Sequence, residues 1–240
     1  MSAATPLRLH LLRHGETAWS VTGQHTGRTD LPLTARGETE AQALGARLAG
    51  IAFSQVLTSP LKRARQTCAL AALPPEAGIE PDLAEWDCGD YEGRLSADIR
   101  RERPGWSIFR DGTPQGETPA QIGARADRLI ARLRTSTGDI ALFTHGHFGR
   151  VLAARWIGLS VAQARPFLLS TASHSILCFE PDCPDVPVIG QWNAVASGSP
   201  GSTPGTDTAA TRATLKRRSV ERWENEGGEI PLAHPKQADE

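Results

Sequence analysis

Two histidines, two arginines and one glutamate stand where this chain could do chemistry. Arg13, His14 and Gly15 close an apolar run in which Leu7, Leu9 and Leu11 alternate with Arg8 and His10. Arginine offers a flat, permanently charged fork that fits phosphate or carboxylate. Histidine is a nitrogen nucleophile or base near neutral pH. Glycine lets the backbone come close to a ligand. The second histidine, His145, lies in Thr144-His145-Gly146-His147, directly after the apolar stretch Ile140-Ala141-Leu142-Phe143. Arg63 and Arg65 follow Ser59-Pro60, which reads as a helix N-cap and first helical residue. Helix N-termini attract anions, so arginines placed there point to an anion nearby. Glu85 sits among apolar and aromatic side chains in Leu83-Ala84-Glu85-Trp86, a setting that favours a raised carboxyl pKa. Asp87 and Glu92 are its alternatives.

His145-Gly146-His147 also admits a metal reading, because alternate residues on a strand share a face. Against it, no further acidic or histidine ligand cluster is evident in the sequence, and Arg13 and Arg63 would repel a cation. The expectation is therefore no metal and no cofactor, with His147 in a structural or supporting role.

Strands must end where these residues begin. The run from Leu7 reads as a strand near the middle of a sheet, because Leu12 makes its end apolar on both faces. Residues 55–58 and 139–144 read as two more buried strands, and 175–180 and 186–192 as late strands at the sheet edge. Helices are expected after Thr34, after Ser59-Pro60, after Thr118-Pro119 with Ile122, Ala126, Leu129, Ile130 and Leu133 as its apolar face, and through Val151 and Leu152 to a stop at Gly158. Residues 79–82 read as a short extended piece. Residues 18–33 form a long polar loop beside the proposed site, which favours function. Residues 94–118 read as an arginine-rich, lid-like excursion with one short helix. Strands alternating with helices indicate an α/β fold, in which ligands bind at the carboxyl ends of the strands.

The 240 residues suffice for one sizeable domain, placed at 1–195. Ser, Gly, Thr, Pro and Ala then dominate, giving a flexible linker at 196–214 and a charged tail at 215–240. Leu215, Val220 and Trp223 leave a short docking helix open as the alternative to a solvated tail. A net charge of −1 gives no reason to expect nucleic acid or an anionic membrane as partner. No apolar run approaches the roughly 20 residues of a membrane span. The first residues lack a secretory pattern, and the four cysteines are scattered, so reduced thiols and a cytoplasmic location are expected.

Taken in order, Arg13-His14-Gly15-Glu16-Thr17, Ser59-Pro60-Leu61-Lys62-Arg63-Ala64-Arg65-Gln66-Thr67, Leu83-Ala84-Glu85-Trp86-Asp87, Gly116-Glu117-Thr118 and Thr144-His145-Gly146-His147 resemble the histidine phosphatase superfamily, the phosphoglycerate-mutase-like enzymes. The resemblance covers about 7–192. It implies a three-layer α/β/α sandwich on a mostly parallel sheet. It also implies that His14 accepts the phosphoryl group, that Arg13, Arg63 and His145 bind and neutralise its oxygens, and that Glu85 protonates the leaving oxygen. Elementary chemistry agrees. Phosphoryl transfer depends mainly on positioning and charge stabilisation, which two guanidiniums and an imidazolium can supply without metal. A carboxyl beside a phosphate has a raised pKa, as an acid that later turns base requires.

Ser20 stands where mutases of the family carry an asparagine, and the segment between Glu85 and Thr118 is short for a mutase, so hydrolysis is expected over phosphoryl transfer. Trp19-Ser20, 23–27, 29–34, 89–93, Arg110-Asp111-Gly112 and Arg150 resemble the sedoheptulose-bisphosphatase type of sugar phosphatase more closely. A bisphosphate needs a second cationic pocket. Arg110 and Arg150 are the candidates, with Ser20, Gln24, Thr26, Gly27 and Gly146 as further substrate contacts. The expected partner is a small phosphorylated molecule, with homo-oligomerisation left open. A phosphoglycerate mutase and a non-catalytic phosphate-binding domain are the alternatives.

Overall fold

The computed structural model describes residues 5–195, and the expected linker at 196–214 and tail at 215–240 lie outside the described residues. The first strand, β1 (Arg8–Arg13), has strand β4 (Asp139–Thr144) on one side, parallel, with Arg13 opposite Thr144. Strand β2 (Phe53–Thr58) lies parallel beyond β4, with Thr58 opposite Phe143, and the two-residue β3 (Gly78–Ile79) extends that edge. On the other side β5 (His174–Glu180) and β6 (Cys183–Ala194) run antiparallel, giving the order β3-β2-β4-β1-β5-β6. This register brings the carboxyl ends of β1, β4 and β2 level. Backbone bonds from His14 N–H to Thr144 O (3.0 Å) and from Ser59 N–H to Phe143 O (2.9 Å) fasten the three exits to one another.

Alternation along β1 divides the core. Leu9 and Leu11 enter a large cluster with Ile140, Leu142 and the apolar faces of helices α6 (Pro119–Leu133) and α7 (Gly146–Trp156). Leu12 points the other way, with Val56 and Phe143, against α2 (Ala35–Leu48) and α3 (Lys62–Ala71). The result is three layers, helices on sheet on helices. Short helices α1 (Ala18–Thr22), α4 (Ser96–Glu102) and α5 (Ile108–Asp111) lie in the connections.

Local chemistry sets the helix starts. The Thr34 side chain accepts from Gly37 N–H, and Thr118 forms a reciprocal capping box with Gln121. Each of these caps contributes about 1 kcal/mol. The helix after Ser59-Pro60 differs from expectation. It begins at Lys62, and Ser59 does not cap it. The Ser59 hydroxyl instead receives the Leu61 N–H and meets His145.

Three further expectations change. His145-Gly146-His147 is not on a strand: β4 stops at Thr144, His145 is the N-cap, and α7 starts at Gly146, so the two histidines do not share a strand face. Residues 79–82 divide between β3 and a 3-10 turn at Pro81–Leu83. Residues 94–118 hold two short helices and form a fixed wall rather than a lid, because Trp106, Ile108 and Phe109 are buried in the main core and Trp106 Nε1 donates to Gly112 O at 3.0 Å. Burying each such side chain stabilises by roughly 1.5–3 kcal/mol, more than enough to hold the segment down. The many arginines there masked three apolar anchors.

Candidate active site

His14 leaves β1 and turns its ring into a cleft at the level strand ends. Its Nδ1 lies 2.7 Å from the Gly15 carbonyl. A carbonyl only accepts, so Nδ1 carries the proton and Nε2 holds the lone pair. Burial, and then the charges of Arg63 and Arg13, hold the His14 pKa well below that of an ordinary histidine. The ring is thus neutral at pH 7, with one defined basic nitrogen. Gly15 serves a different purpose from the one expected. A Cβ there would come 2.3 Å from the Gly37 carbonyl, so the glycine admits α2 rather than a ligand. Its N–H donates to Thr67 Oγ1 at 3.0 Å, tying the His14 backbone to α3.

The His145 ring lies 5.2 Å from that of His14, centroid to centroid. Arg63 Nε donates to His145 Nδ1 at 3.1 Å, so Nε2 bears the proton and donates to Ser59 Oγ at 2.7 Å. Burial and the Arg63 charge push the His145 pKa well down. The imidazolium expected for charge neutralisation is therefore a neutral ring here, because a guanidinium occupies its lone pair. Arg63 is fully buried and also donates to the Thr26, Gly27 and Thr29 carbonyls. It is not among the side chains that line the cleft. In this geometry it orients His145 and clasps the loop that follows α1.

Glu85 lies across the first turn of α7. Its carboxylate accepts the N–H groups of Trp86 (2.8 Å), His147 (3.0 Å) and Phe148 (2.8 Å). Burial alone would raise its pKa and is the largest single effect. Hydrogen bonding by His147 and by the backbone donors outweighs it and holds the carboxyl well below the usual range. The raised pKa expected from sequence is thus absent before phosphate arrives, since helix N–H groups favour the anion. The alternatives Asp87 and Glu92 are engaged elsewhere. Asp87 pairs with Arg28 at 2.8 Å, and Glu92 accepts from Gly27 and Thr29 N–H.

The cleft encloses about 430 Å³, part of it open to solvent. Arg13, His14, Ser20, Gln24, Thr26, Glu85, Gly146 and Arg150, all singled out from sequence, line it, with His147 and Trp19 beside them. Arg13 is anchored by its bond to the Leu169 carbonyl. A Cβ at Gly146 would stand 3.2 Å from its guanidinium carbon, so glycine leaves room for the arginine. Arg150 is buried, lies 4.4 Å over the Phe109 ring and donates to the carbonyls of Ala164 and Arg165. Arg110 is a correction to the expected second cationic pocket. It is exposed on α5, pairs with Asp111 and does not line the cleft. Gly27 lies outside the cleft too, where a Cβ would meet the Trp86 carbonyl at 2.5 Å.

Sequence reasoning missed Arg125. From α6 it donates to Glu117 (2.7 and 2.9 Å) and to the carbonyls of Asp82, Ala84 and Glu85. Glu117 in turn receives the Asp87 N–H at 3.0 Å. A single arginine thus fixes the segment that carries Glu85. Its only sequence signal is Glu117 eight residues earlier, a spacing that means nothing until α6 is placed.

The fold and the cleft together define an α/β protein that gathers histidine, arginine and glutamate at parallel strand ends, a setting for oxyanion chemistry. Residues 9–192 match the family model of the histidine phosphatase superfamily, branch 1. The chain belongs to that superfamily. An acid phosphatase of Mycobacterium tuberculosis is 40% identical over 187 residues, covering 76% of this chain and 92% of the relative. A sedoheptulose 1,7-bisphosphatase of Saccharomyces cerevisiae is 40% identical over 196 residues, covering 68% and 72%. The solved structure of open reading frame Rv3214 from Mycobacterium tuberculosis matches with a TM-score of 0.73 at 38% identity, over 78% of this chain and 97% of that one. No helix among the described residues is long and apolar enough to cross a membrane.

Proposed function

We propose that the protein hydrolyses small phosphate monoesters through a phosphohistidine on His14, without a metal ion. The observation that carries this is the fixed tautomer of His14: with Nδ1–H held by the Gly15 carbonyl, Nε2 is a neutral nucleophile in a cleft walled by Arg13, Glu85 and Arg150. Arg13 and the N-terminal turn of α7 at Gly146 supply positive potential where phosphoryl oxygens would lie. Glu85 stands on the same wall to protonate the leaving oxygen and then accept a proton from water. The His145 lone pair, which a metal would need, is taken by Arg63.

The substrate class is sugar phosphates and bisphosphates of the size of sedoheptulose 1,7-bisphosphate. Ser20, Gln24 and Thr26 on the cleft wall offer hydrogen-bond partners to sugar hydroxyls. Arg150 is the second cation on the cleft wall besides Arg13, and likeness to a sugar bisphosphatase and to an acid phosphatase is equally strong by identity.

The test is phosphate release by the EDTA-treated protein from sedoheptulose 1,7-bisphosphate, fructose bisphosphates, 3-phosphoglycerate, a phosphotyrosine peptide and an aryl phosphate. The expected result is preference for one sugar bisphosphate, lost by about 10-fold or more in Arg150→Ala while aryl phosphate turnover changes little. Equal losses on both would assign Arg150 to packing alone. Slow, even turnover of the whole panel would replace the bisphosphatase reading by a general phosphatase.

A further inference from the structure

Strand β6 carries one residue more than β5 near its end. Gln191 pairs with Ile176 and Ala194 with His174, so Trp192 and Asn193 together stand opposite Ser175. This is a β-bulge, a device that re-aims side chains and is common next to active sites. Asn193 has φ 54°, in the left-handed region that asparagine tolerates better than most residues. Its N–H leaves the strand ladder and donates to Ser175 Oγ at 2.9 Å. Both side chains of the bulge reach across to the segment before β5. Trp192 Nε1 donates to the Leu168 carbonyl at 2.6 Å. Asn193 Oδ1 accepts the Ser170 N–H at 2.7 Å, and its Nδ2 donates to Ser170 Oγ at 3.3 Å.

That segment holds the end of β1. The Leu169 carbonyl accepts from the Arg13 guanidinium. Ser170 then opens a tight turn, its carbonyl accepting the Ser173 N–H at 3.3 Å. The turn bonds the site backbone twice. Arg13 N–H donates to Ser173 O at 3.2 Å, and Ala172 N–H donates to His14 O at 3.0 Å. Among the described residues four other than glycine have positive φ, and two of them, Ala172 and Asn193, bracket this turn. Backbone so far from its preferred region persists where its surroundings fix it, and such places cluster at working sites. The buried Leu169 side chain sets the depth of the segment, because a Cβ on Gly149 of α7 would stand 2.8 Å from its Cδ2. Side-chain burial does not decide which way the Leu169 carbonyl points.

We propose that Asn193 is a positioning residue for Arg13, aiming its guanidinium at the phosphoryl group through the single peptide unit between Leu169 and Ser170. The inference rests on the phosphohistidine reading above, in which Arg13 binds phosphoryl oxygens. A trans peptide unit is a rigid plate whose C=O and N–H point in opposite directions. Asn193 Oδ1 grips the N–H end of this plate, and Arg13 is bound to the C=O end. Turning the plate would swing the carbonyl away from Arg13 and release the guanidinium from its anchored direction. The bond to Asn193 also polarises the plate, which strengthens the Leu169 carbonyl as an acceptor. Trp192, bound one carbonyl earlier, keeps the segment from sliding.

Two substitutions in the full chain separate this role from packing. Asn193→Gly keeps the left-handed backbone at no steric cost and removes both side-chain bonds. Asn193→Asp keeps an acceptor for the Ser170 N–H and lets the Ser170 hydroxyl donate to its other oxygen. The probe is orthovanadate, which imitates the phosphoryl group alone. In Asn193→Gly its inhibition constant should rise about 10-fold. The kcat/KM should fall by a similar factor on glycerol 2-phosphate and on p-nitrophenyl phosphate, because Arg13 grips the part that the two esters share. Asn193→Asp should stay within about threefold of wild type. A lowered urea midpoint with an unmoved inhibition constant would overturn the proposal, as would equal losses in the two variants. Should Asn193→Gly fail to fold, hydrogen exchange in the wild type decides. Coupling is reciprocal, so orthovanadate should slow exchange of the Ser170 N–H that Asn193 holds, and an unchanged rate overturns the idea. Acid-labile phosphoenzyme is trapped in parallel. If wild type forms none, the phosphohistidine reading fails and takes this inference with it. If phosphoenzyme forms but orthovanadate binds Asn193→Gly as it binds wild type, the role of Asn193 alone fails.

Discussion

At the scale of the residue, the site works by fixing protons on named nitrogens. A carbonyl holds the His14 proton on Nδ1, and a guanidinium holds the His145 proton on Nε2. Both rings are therefore neutral at physiological pH, and the positive charge of the site comes from arginine. His14→Ala should lower phosphate release by at least about 10³-fold, since it removes the proposed nucleophile. The thermal midpoint should move by only a few degrees, because the ring sits at a strand end outside both apolar clusters. Residual turnover near the wild-type rate would remove His14 as nucleophile.

At the scale of the element, the acid is placed by α6 and α7 acting from two sides. The first turn of α7 holds the Glu85 carboxylate, and Arg125 on α6 holds the backbone behind it. Arg125 and Glu117 are both largely buried, so removing one leaves the other with an uncompensated charge. Arg125→Met should destabilise the protein by about 3 kcal/mol in urea unfolding. It should also cost more activity on alkyl than on aryl phosphates, because it frees the segment that carries the acid. An unchanged unfolding midpoint would show that α7 alone suffices. The glycine pair Gly15 and Gly37 acts at this scale too. A Cβ at Gly37 would lie 2.1 Å from the Glu16 carbonyl, so α2 and the turn after β1 fit only without side chains.

At the scale of the molecule, a chain of neutral rings crosses the sheet. His10 Nε2 donates to Asp139 at 2.7 Å, His10 Nδ1 meets His174 Nε2 at 3.0 Å, and Gln191 lies 3.3 Å from His174 Nδ1. The chain links β4, β1, β5 and β6 in one direction of donation, which works only with both imidazoles uncharged. Burial pushes the His10 pKa down. Burial, with His10 and Arg47, takes that of His174 down to about 4. An unfolded histidine titrates near 6.5. The unfolded chain therefore binds more protons between those values, so this stability is fully present above about pH 6.5 and is lost as pH falls toward the folded pKa values. His174 alone accounts for about 3 kcal/mol over that interval. Urea midpoints should drop clearly from pH 7 to pH 5. A flat profile would mean that the rings are charged in the folded state.

Much of the site is legible in the residues themselves. Alternating leucines before Arg13-His14 and an apolar run before His145 mark buried strands with reactive ends, and one-dimensional spacing is enough to show that. The α/β class follows from the same periodicity. Other features depend on partners distant in sequence. Nothing local says that Arg63 would turn from the cleft to His145, 82 residues on, and hold it neutral. Nor does it say that Glu85 would meet helix N–H groups and stay ionised, or that Arg110 would lie outside while Arg150 lined the cleft. Arg125 is invisible until α6 packs beside the Glu85 segment. The sequence by itself determined which chemical groups are present and that strands end beside them, because those follow from residue type and period. Protonation, orientation and membership of the cleft were decided only by tertiary structure, because burial and charge act through space and not along the chain.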